Sequence, residues 1–566
     1  MEKISGSQAI IRCLQEEGVK IIFGFPGGAV IDLFDALMDS DIQNVLVRHE
    51  QGAVHAADGM ARVTGEVGVA LLTSGPGATN GVTAIATAYM DSIPLVILTG
   101  QVPTPLIGND AFQEVDIVGI TRPCTKHNYL VKDSKDLVPT LREAFHIART
   151  GRPGPVLVDL PKDVVAKMID FPEKKPIRMQ TYQPTYEPHQ GQIEKACKKI
   201  LKAKSPVLYV GGGVILSDAH EELTELARKL NIPVTMTLMG LGGFPGSDPL
   251  SMGMLGMHGS YAANMAVANS DLLIAVGARF DDRVTGRLDA FAPHATIIHI
   301  DIDPTSISKN VKVDIPIVAD CKHALTAMNN WFNTSSDFNR DQVAASHEPW
   351  HSTIGEWTKK HPMTYIPEGE IIKPQFVIEK LDELTHGDAI ITTEVGQNQM
   401  WAAQFYKFNK PRQWATSGGL GTMGYGLPAA IGAKMAFPDK TVIDVAGDGS
   451  IQMNIQELAT AKQYNCPVKV VILNNNYLGM VRQWQELFYN KRYAGTIMEV
   501  TPDFVKLAEA YGAVGLRATK TSEVEAVLKE GLAANNTVIM DFAIAREECV
   551  FPMVPAGKAT TEMLLV

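Results

Sequence analysis

The most informative spacing in this 566-residue chain is Gly447-Asp448-Gly449, then 24 intervening residues, then Asn474-Asn475. Each piece closes an apolar run, VIDVA before the first and KVVIL before the second, of the β-branched kind that forms buried parallel strands. Two such strands open their carboxyl ends on one crevice, where ligands of parallel α/β folds sit. An Asp and an Asn there supply hard oxygen ligands suited to Mg²⁺. The glycines let backbone N–H groups approach a phosphate. The expected site is Asp448 and Asn475 on a Mg²⁺ that bridges a diphosphate. A lone GDG is an ordinary turn, and the NN at this distance is what gives it weight. A carboxylate elsewhere, Glu50 in NVLVRHEQGAVHAADGMAR, follows a strand-like run and opens an apolar helix. Partial desolvation and a helix N-terminus suit it to acid/base work, with helix capping as the alternative.

Such residues need α/β units to hold them. The runs VGVALLTS, LVILTG, SPVLYVGG, DLLIAVG and PVKVVILNN alternate with helix-length segments, so doubly wound parallel sheets are expected. Composition breaks at 172–190 and 333–372, the second reading as a polar helix and linker, leave blocks of roughly 1–180, 190–340 and 370–566. The first and third blocks look like variants of one unit. Each runs strand, glycine turn, helix and a proline-led strand, with 19 residues from Gly75 to Pro94 and 20 from Gly447 to Pro467.

The net charge of −11, from 51 basic and 62 acidic residues, argues against binding nucleic acid or an anionic membrane. Six scattered cysteines without CxxC spacing indicate neither a disulfide framework nor a zinc site, and fit a reducing cytoplasm. The uncharged stretches Val67–Met90 and Gln413–Ala433 are interrupted by glycines and read as buried turns, not membrane spans. The first twenty residues read as an amphipathic helix, not a signal peptide.

With the diphosphate pattern and Glu50, the chain resembles the thiamin-diphosphate (ThDP) enzymes. Over essentially its whole length it is similar to the FAD-containing acetohydroxyacid (acetolactate) synthases. The resemblance lies in FGFPGGAVIDLFDAL, RHEQGAVHAADGMAR, TSGPGATN, GQVPTPLIGNDAFQE, TKHNYLV, GRPGPVLVDLPKDV, MLGMHGSYAANMA, GARFDDRVTG, HIDIDPTSISKN, SGGLGTMGYGLPAA and GMVRQWQELFY. It implies three α/β domains with doubly wound parallel sheets. These are a pyrimidine-binding 1–180, an FAD-binding 190–340, and a diphosphate- and Mg²⁺-binding 370–566 similar to the first.

It also implies roles, residue by residue. Glu50 hydrogen-bonds the aminopyrimidine of ThDP and activates it. Gln113 and Lys126, which alone would read as solvated loop residues after strands, line the mouth of the site. Gly27, Gly28, Asn80, Gln397, Asn398, Gly421, Gly449 and Ser450 contact ThDP. Met423, otherwise a core methionine, props ThDP in its bent shape. The carbonyl of Tyr477 joins Asp448 and Asn475 on Mg²⁺. Arg152, His258, Arg279, Asp301 and Asp320 fall in the FAD stretches, where the residues alone offer only the weak glycine turn Gly211–Gly213. Arg279, Met480 and Trp484 meet substrate, although Arg279 could equally pair with Asp281 or Asp282. One departure is Asn398, where the family commonly has His; its amide keeps donors for a diphosphate oxygen.

The activity so implied is decarboxylating condensation of two 2-keto acids. Pyruvate with pyruvate gives 2-acetolactate, and pyruvate with 2-ketobutyrate gives 2-aceto-2-hydroxybutyrate, at the head of branched-chain amino-acid synthesis. FAD has no net redox role. A homodimer is the minimum unit, with a tetramer and a small regulatory subunit left open. The rivals are an FAD-dependent pyruvate oxidase, a catabolic FAD-free acetolactate synthase, and a non-catalytic binding module on the same fold. Lys126, GARFDDR and RQW argue against the first, the middle block against the second, and Glu50 with Asp448 and Asn475 against the third.

Overall fold

The computed structural model describes residues 2–565. Three six-stranded sheets, all parallel, carry the chain. In spatial order the first sheet runs Gln43–Leu46, Ile21–Gly24, Gly68–Leu72, Leu95–Gln101, Pro155–Pro161 and His127–Leu130. With strands numbered by chain order within their own sheet, this is 2-1-3-4-6-5. The last sheet, built from Trp414–Ala415, Ile390–Thr393, Val442–Gly447, Lys469–Asn474, Val538–Ala543 and Val514–Ala518, has the same order. The likeness of the two outer units seen in the glycine-to-proline spacing therefore extends to their topology. The middle sheet has the order 3-2-1-4-5-6, that of dinucleotide-binding folds.

The central strands are apolar and buried on both faces, as parallel strands under helices must be: VALL, VILTG, VLVDL, LLIAV and VVIL are buried throughout. The uncharged stretch from Val67 becomes the strand Gly68–Leu72 and the helices Pro76–Asn80 and Val82–Asp91. The stretch from Gln413 becomes the strand Trp414–Ala415, a glycine-rich loop and the helix Gly426–Ala436. Among the described residues no helix is long and apolar enough to cross a membrane. The N-terminal amphipathic helix, Gly6–Glu16, is closed by a capping box between Ser5 and Gln8. The polar segment after 333 contains the helix Arg340–Lys360, which packs on the middle unit. There Trp350 Nε1 donates to the carbonyl of Pro206, and His347 meets that of Leu230.

The outer units are joined by two helices, Glu50–Thr64 and Gly426–Ala436. Small residues let their backbones nearly touch. A Cβ on Gly432 would lie 1.9 Å from the carbonyl oxygen of Ala56, and one on Gly59 2.4 Å from that of Ala429. Gly432→Ala therefore forces the helices apart. Overpacking of this kind costs about 1–3 kcal/mol, so calorimetry should show a lowered unfolding midpoint. An unchanged midpoint would mean that the contact is slack.

Candidate functional site

A cavity of about 1280 Å³ opens where the three units meet. From the middle sheet it takes the carboxyl ends of the first and fourth strands, Gly211–Gly213 and Gly277–Arg279, and further along Asp301. This is the point where the strand order reverses, the expected ligand crevice of such a sheet. The glycines make it possible: a Cβ on Gly211 would sit 2.2 Å from the carbonyl oxygen of Gly277. His258, Arg152 and Asp320 also line it. Burial holds the His258 imidazole down at about 4, so it is neutral, with Nδ1 on the carbonyl of Pro552. Arg152 is held by Ser92 Oγ (2.8 Å) and Asp303 (3.2 Å). Asp320 caps the helix Cys321–Thr334 by accepting from the backbone of Lys322 and His323. Arg279 donates to the carbonyl of Met90 (2.8 Å) and to Asp281 (2.7 Å), so the ion pair that the sequence left open is formed, with the guanidinium at the cavity wall.

The third unit contributes its carboxyl edge: Val395 and Gly396, the loop residues Gly421 and Met423, and Met480 and Trp484 on the helix Gly479–Phe488. Beside this wall lies the diphosphate motif. Asp448 is buried; one carboxylate oxygen accepts from the Asn475 backbone (3.4 Å) and the other, Oδ2, has no partner. Burial pushes its carboxyl up to about 6. Asn475 Oδ1 accepts from the Tyr477 backbone and Nδ2 donates to Gln397, which in turn donates to Gln483 and to the carbonyl of Glu548. Ser450 Oγ exchanges hydrogen bonds with the Gly447 backbone, closing the turn, and a Cβ on Gly449 would meet Leu478 at 2.7 Å. Among the described residues no three His, Cys, Asp or Glu side chains form a metal cluster. One carboxylate with a free buried oxygen, plus amide and backbone oxygens, fits Mg²⁺, which takes few protein ligands and keeps the rest for phosphate and water.

Asn398 corrects its expectation. Its amide donates to the carbonyls of Glu394 (3.0 Å) and Val445 (2.8 Å), so the donors expected to face a diphosphate already tie together two strand ends.

Glu50 stands at the carboxyl edge of the first sheet. It is buried, and its Oε2 accepts from Asn80 (2.9 Å). Around it lie Gly27, packed on Thr73, and the Gly75-Pro76-Gly77 turn; Gln113, in a left-handed conformation (φ 59°), rests its backbone on Gly75. The large cavity, in contrast, touches the first unit along the opposite edge, at Met90–Ser92 and Gly151–Pro153, which precede strands. None of Glu50, Asn80, Gln113, Gly27 and Gly28 borders it.

Lys126 corrects a second expectation. It precedes the strand His127–Leu130 and so lies on the edge away from Glu50, where its ammonium binds the carbonyls of Ile147 and Thr150 and the Tyr182 hydroxyl. Burial brings it down to about 7. The lysine on the Glu50 edge is Lys162, directly after the strand Pro155–Pro161, donating to the carbonyl of Gly28 (3.0 Å). Sequence reasoning passed over it, although PKD after an apolar run carries the same strand-end signal as GDG.

The chain is similar to known proteins along its length. Profiles described as thiamine pyrophosphate enzyme N-terminal TPP binding, central, and C-terminal TPP binding domains match residues 4–120, 193–328 and 394–542. The acetolactate synthase isozyme 3 large subunit of Escherichia coli K12 is 52% identical, covering 100% of this chain and 99% of its own. The acetolactate synthase large subunits of Haemophilus influenzae and Corynebacterium glutamicum are 50% and 51% identical, covering 100% and 99% of this chain and 99% and 90% of their own.

The orphaned Asp448 oxygen generates a test. Asp448→Ala should lower Mg²⁺-dependent ThDP affinity by more than the roughly 10–100-fold that loss of an outer-shell metal partner costs. Titration of ThDP against intrinsic fluorescence at fixed Mg²⁺ measures it, and unaltered affinity refutes the assignment.

Proposed function

This chain belongs to the thiamine pyrophosphate enzymes, among the acetolactate synthase large subunits, and from that premise we propose how its residues divide the work. The reaction joins two 2-keto acids with loss of CO₂ in branched-chain amino-acid biosynthesis. ThDP, held with Mg²⁺, supplies the carbanion chemistry that decarboxylation requires. Asp448, Asn475 and the Tyr477 carbonyl hold the Mg²⁺, and the Gly447–Ser450 turn receives the diphosphate. Glu50 holds a proton at the aminopyrimidine. FAD takes the crevice of the middle sheet, whose strand order and glycine turn suit a dinucleotide. Arg279 offers its charge to the carboxylate of the second keto acid while shared with Asp281. Cytoplasmic localisation and a small regulatory partner belong to the same proposal.

One observation carries the proposed assembly. Glu50 and its neighbours occupy the edge of the first sheet that faces away from the chain's own cavity, whereas Met423, Met480 and Trp484 face into it. A complete site then needs Glu50 from a second copy, and Phe112 and Leu106, exposed beside Gln113 at 89% and 45%, support a partner on that edge. A homodimer is the smallest assembly that supplies it. Glu50→Gln should lose about 10²–10⁴-fold in activity, and Asp448→Ala should be inactive. Co-expressed with different tags, the two should regain about a quarter of wild-type activity, since half the dimers are mixed and each has one intact site of two. A mixture as inactive as its parents would place the whole site in one chain.

Trp484, at the cavity wall with its ring edge-to-face on Phe488 (5.7 Å), is proposed to select 2-ketobutyrate over pyruvate as acceptor. The two differ by one methylene, worth about 1–3 kcal/mol, or 10- to 200-fold, against a rigid wall. Trp484→Leu should retain acetolactate formation and lose most of that preference. Competition between the two keto acids at fixed ratio measures it; an unchanged product ratio makes Trp484 structural.

A further inference from the structure

Three consecutive residues at the end of the helix Val82–Asp91 each hold a different wall of the cavity. The carbonyl of Met90 receives Arg279 (2.8 Å), and Ser92 Oγ receives Arg152 (2.8 Å). Between them, Asp91 accepts from the backbone N–H groups of Gly418 (3.0 Å) and Gly419 (2.7 Å). The Gly418–Gly419 pair begins the loop that carries Gly421 and Met423, and Thr422 in that loop is tied back to the same helix through Thr87 (2.6 Å).

The Asp91 side chain is wholly buried. It is oriented from behind by Arg62, which binds Asp91 (2.8 Å) and Asp58 (2.5 Å), with Asp58 also accepting from the Tyr425 hydroxyl (2.7 Å). Two carboxylates share one guanidinium, so the excess negative charge is met by donors on the loop. Asp91 is the only member of this buried set that reaches both the loop and the helix end holding Arg279. No motif in the sequence singled it out, because in TAYMDSIP it reads as a helix-terminal Asp.

We infer that Asp91 is a positioning residue for the condensation step, setting the Gly418–Met423 loop against the Arg279 wall so that the acceptor keto acid meets the two-carbon fragment left by decarboxylation. The inference rests on the acetolactate synthase activity and adds a residue to it. When the acceptor is held in place, two pyruvates and a proton give acetolactate and CO₂. When it is not, one pyruvate and a proton give acetaldehyde and CO₂. The ratio of the two products is a property of each working site and does not depend on how much of the protein is folded.

Asp91→Asn preserves shape, but an amide accepts through one atom only, and its NH₂ meets the second glycine N–H as donor against donor. The acetaldehyde-to-acetolactate ratio should rise about fivefold to tenfold, the size expected for one lost hydrogen bond. Gly419→Ala approaches the contact from the loop side, since its Cβ would lie 2.9 Å from Asp91 Oδ1, and should move the ratio the same way. Asp58→Asn disturbs the same buried cluster without touching the loop; it should lower thermal stability and leave the ratio unchanged. Wild-type protein that makes no acetolactate would overturn the activity itself. Wild-type protein that makes it, with Asp91→Asn and Gly419→Ala at the wild-type ratio, or with Asp58→Asn raising the ratio equally, overturns the positioning role alone.

Discussion

The near-contact of the helices Glu50–Thr64 and Gly426–Ala436 is the constraint on which the rest depends. Where Gly432 meets Ala56 and Gly59 meets Ala429, no side chain intervenes, and the two outer sheets are locked at one separation and one relative turn. Glu50 begins the first of these helices, and the Gly418–Met423 loop runs into the second. The contact that joins the two units thus also sets the carboxylate and the Met423 loop on different sides of the chain. The buried Asp58–Arg62–Asp91 cluster lies beside this seam. Breaking a buried ion cluster by removing one partner leaves an uncompensated charge, so the seam resists sliding as well as separation.

Much of this was legible in the sequence, for a physical reason in each case. Buried parallel strands are apolar on both faces and stand out as runs, so the three sheets were foreseen. Turns that follow strands open on the carboxyl edge of a sheet, so the positions of Asp448, Asn475 and Glu50 at those edges could be read from what comes just after an apolar run. The same rule, applied unevenly, misled. Lys126 reads from sequence as following a strand but precedes one, which puts it on the edge away from Glu50, while Lys162 satisfies the rule. A strand's identity is written in its residues; which end of it a loop residue occupies depends on where the strand begins, and that is set by pairing with Pro155–Pro161.

Contacts between side chains and distant backbone were not legible at all. Asn398 is implied as a cofactor donor because it stands where the resembled family commonly has His, yet its amide is spent on the carbonyls of Glu394 and Val445. Asp91 reads as a helix end because its partners, Gly418 and Gly419, are more than three hundred residues away. Hydrogen bonds of that kind have no period and no spacing, and only the fold reveals them.

The unpartnered oxygen of Asp448 has a consequence beyond catalysis. A carboxylate oxygen taken out of water without a donor opposes folding of the unit that contains it, and a cation that binds the native form alone offsets that opposition by an amount that grows with the logarithm of its concentration over its dissociation constant. On the proposed assignment of Asp448 to Mg²⁺, the third unit is then at its most resistant to unfolding and proteolysis when ThDP and Mg²⁺ are plentiful. The amount of intact protein in a cell should follow vitamin supply on the timescale of turnover, with no change in the rate at which the chain is made.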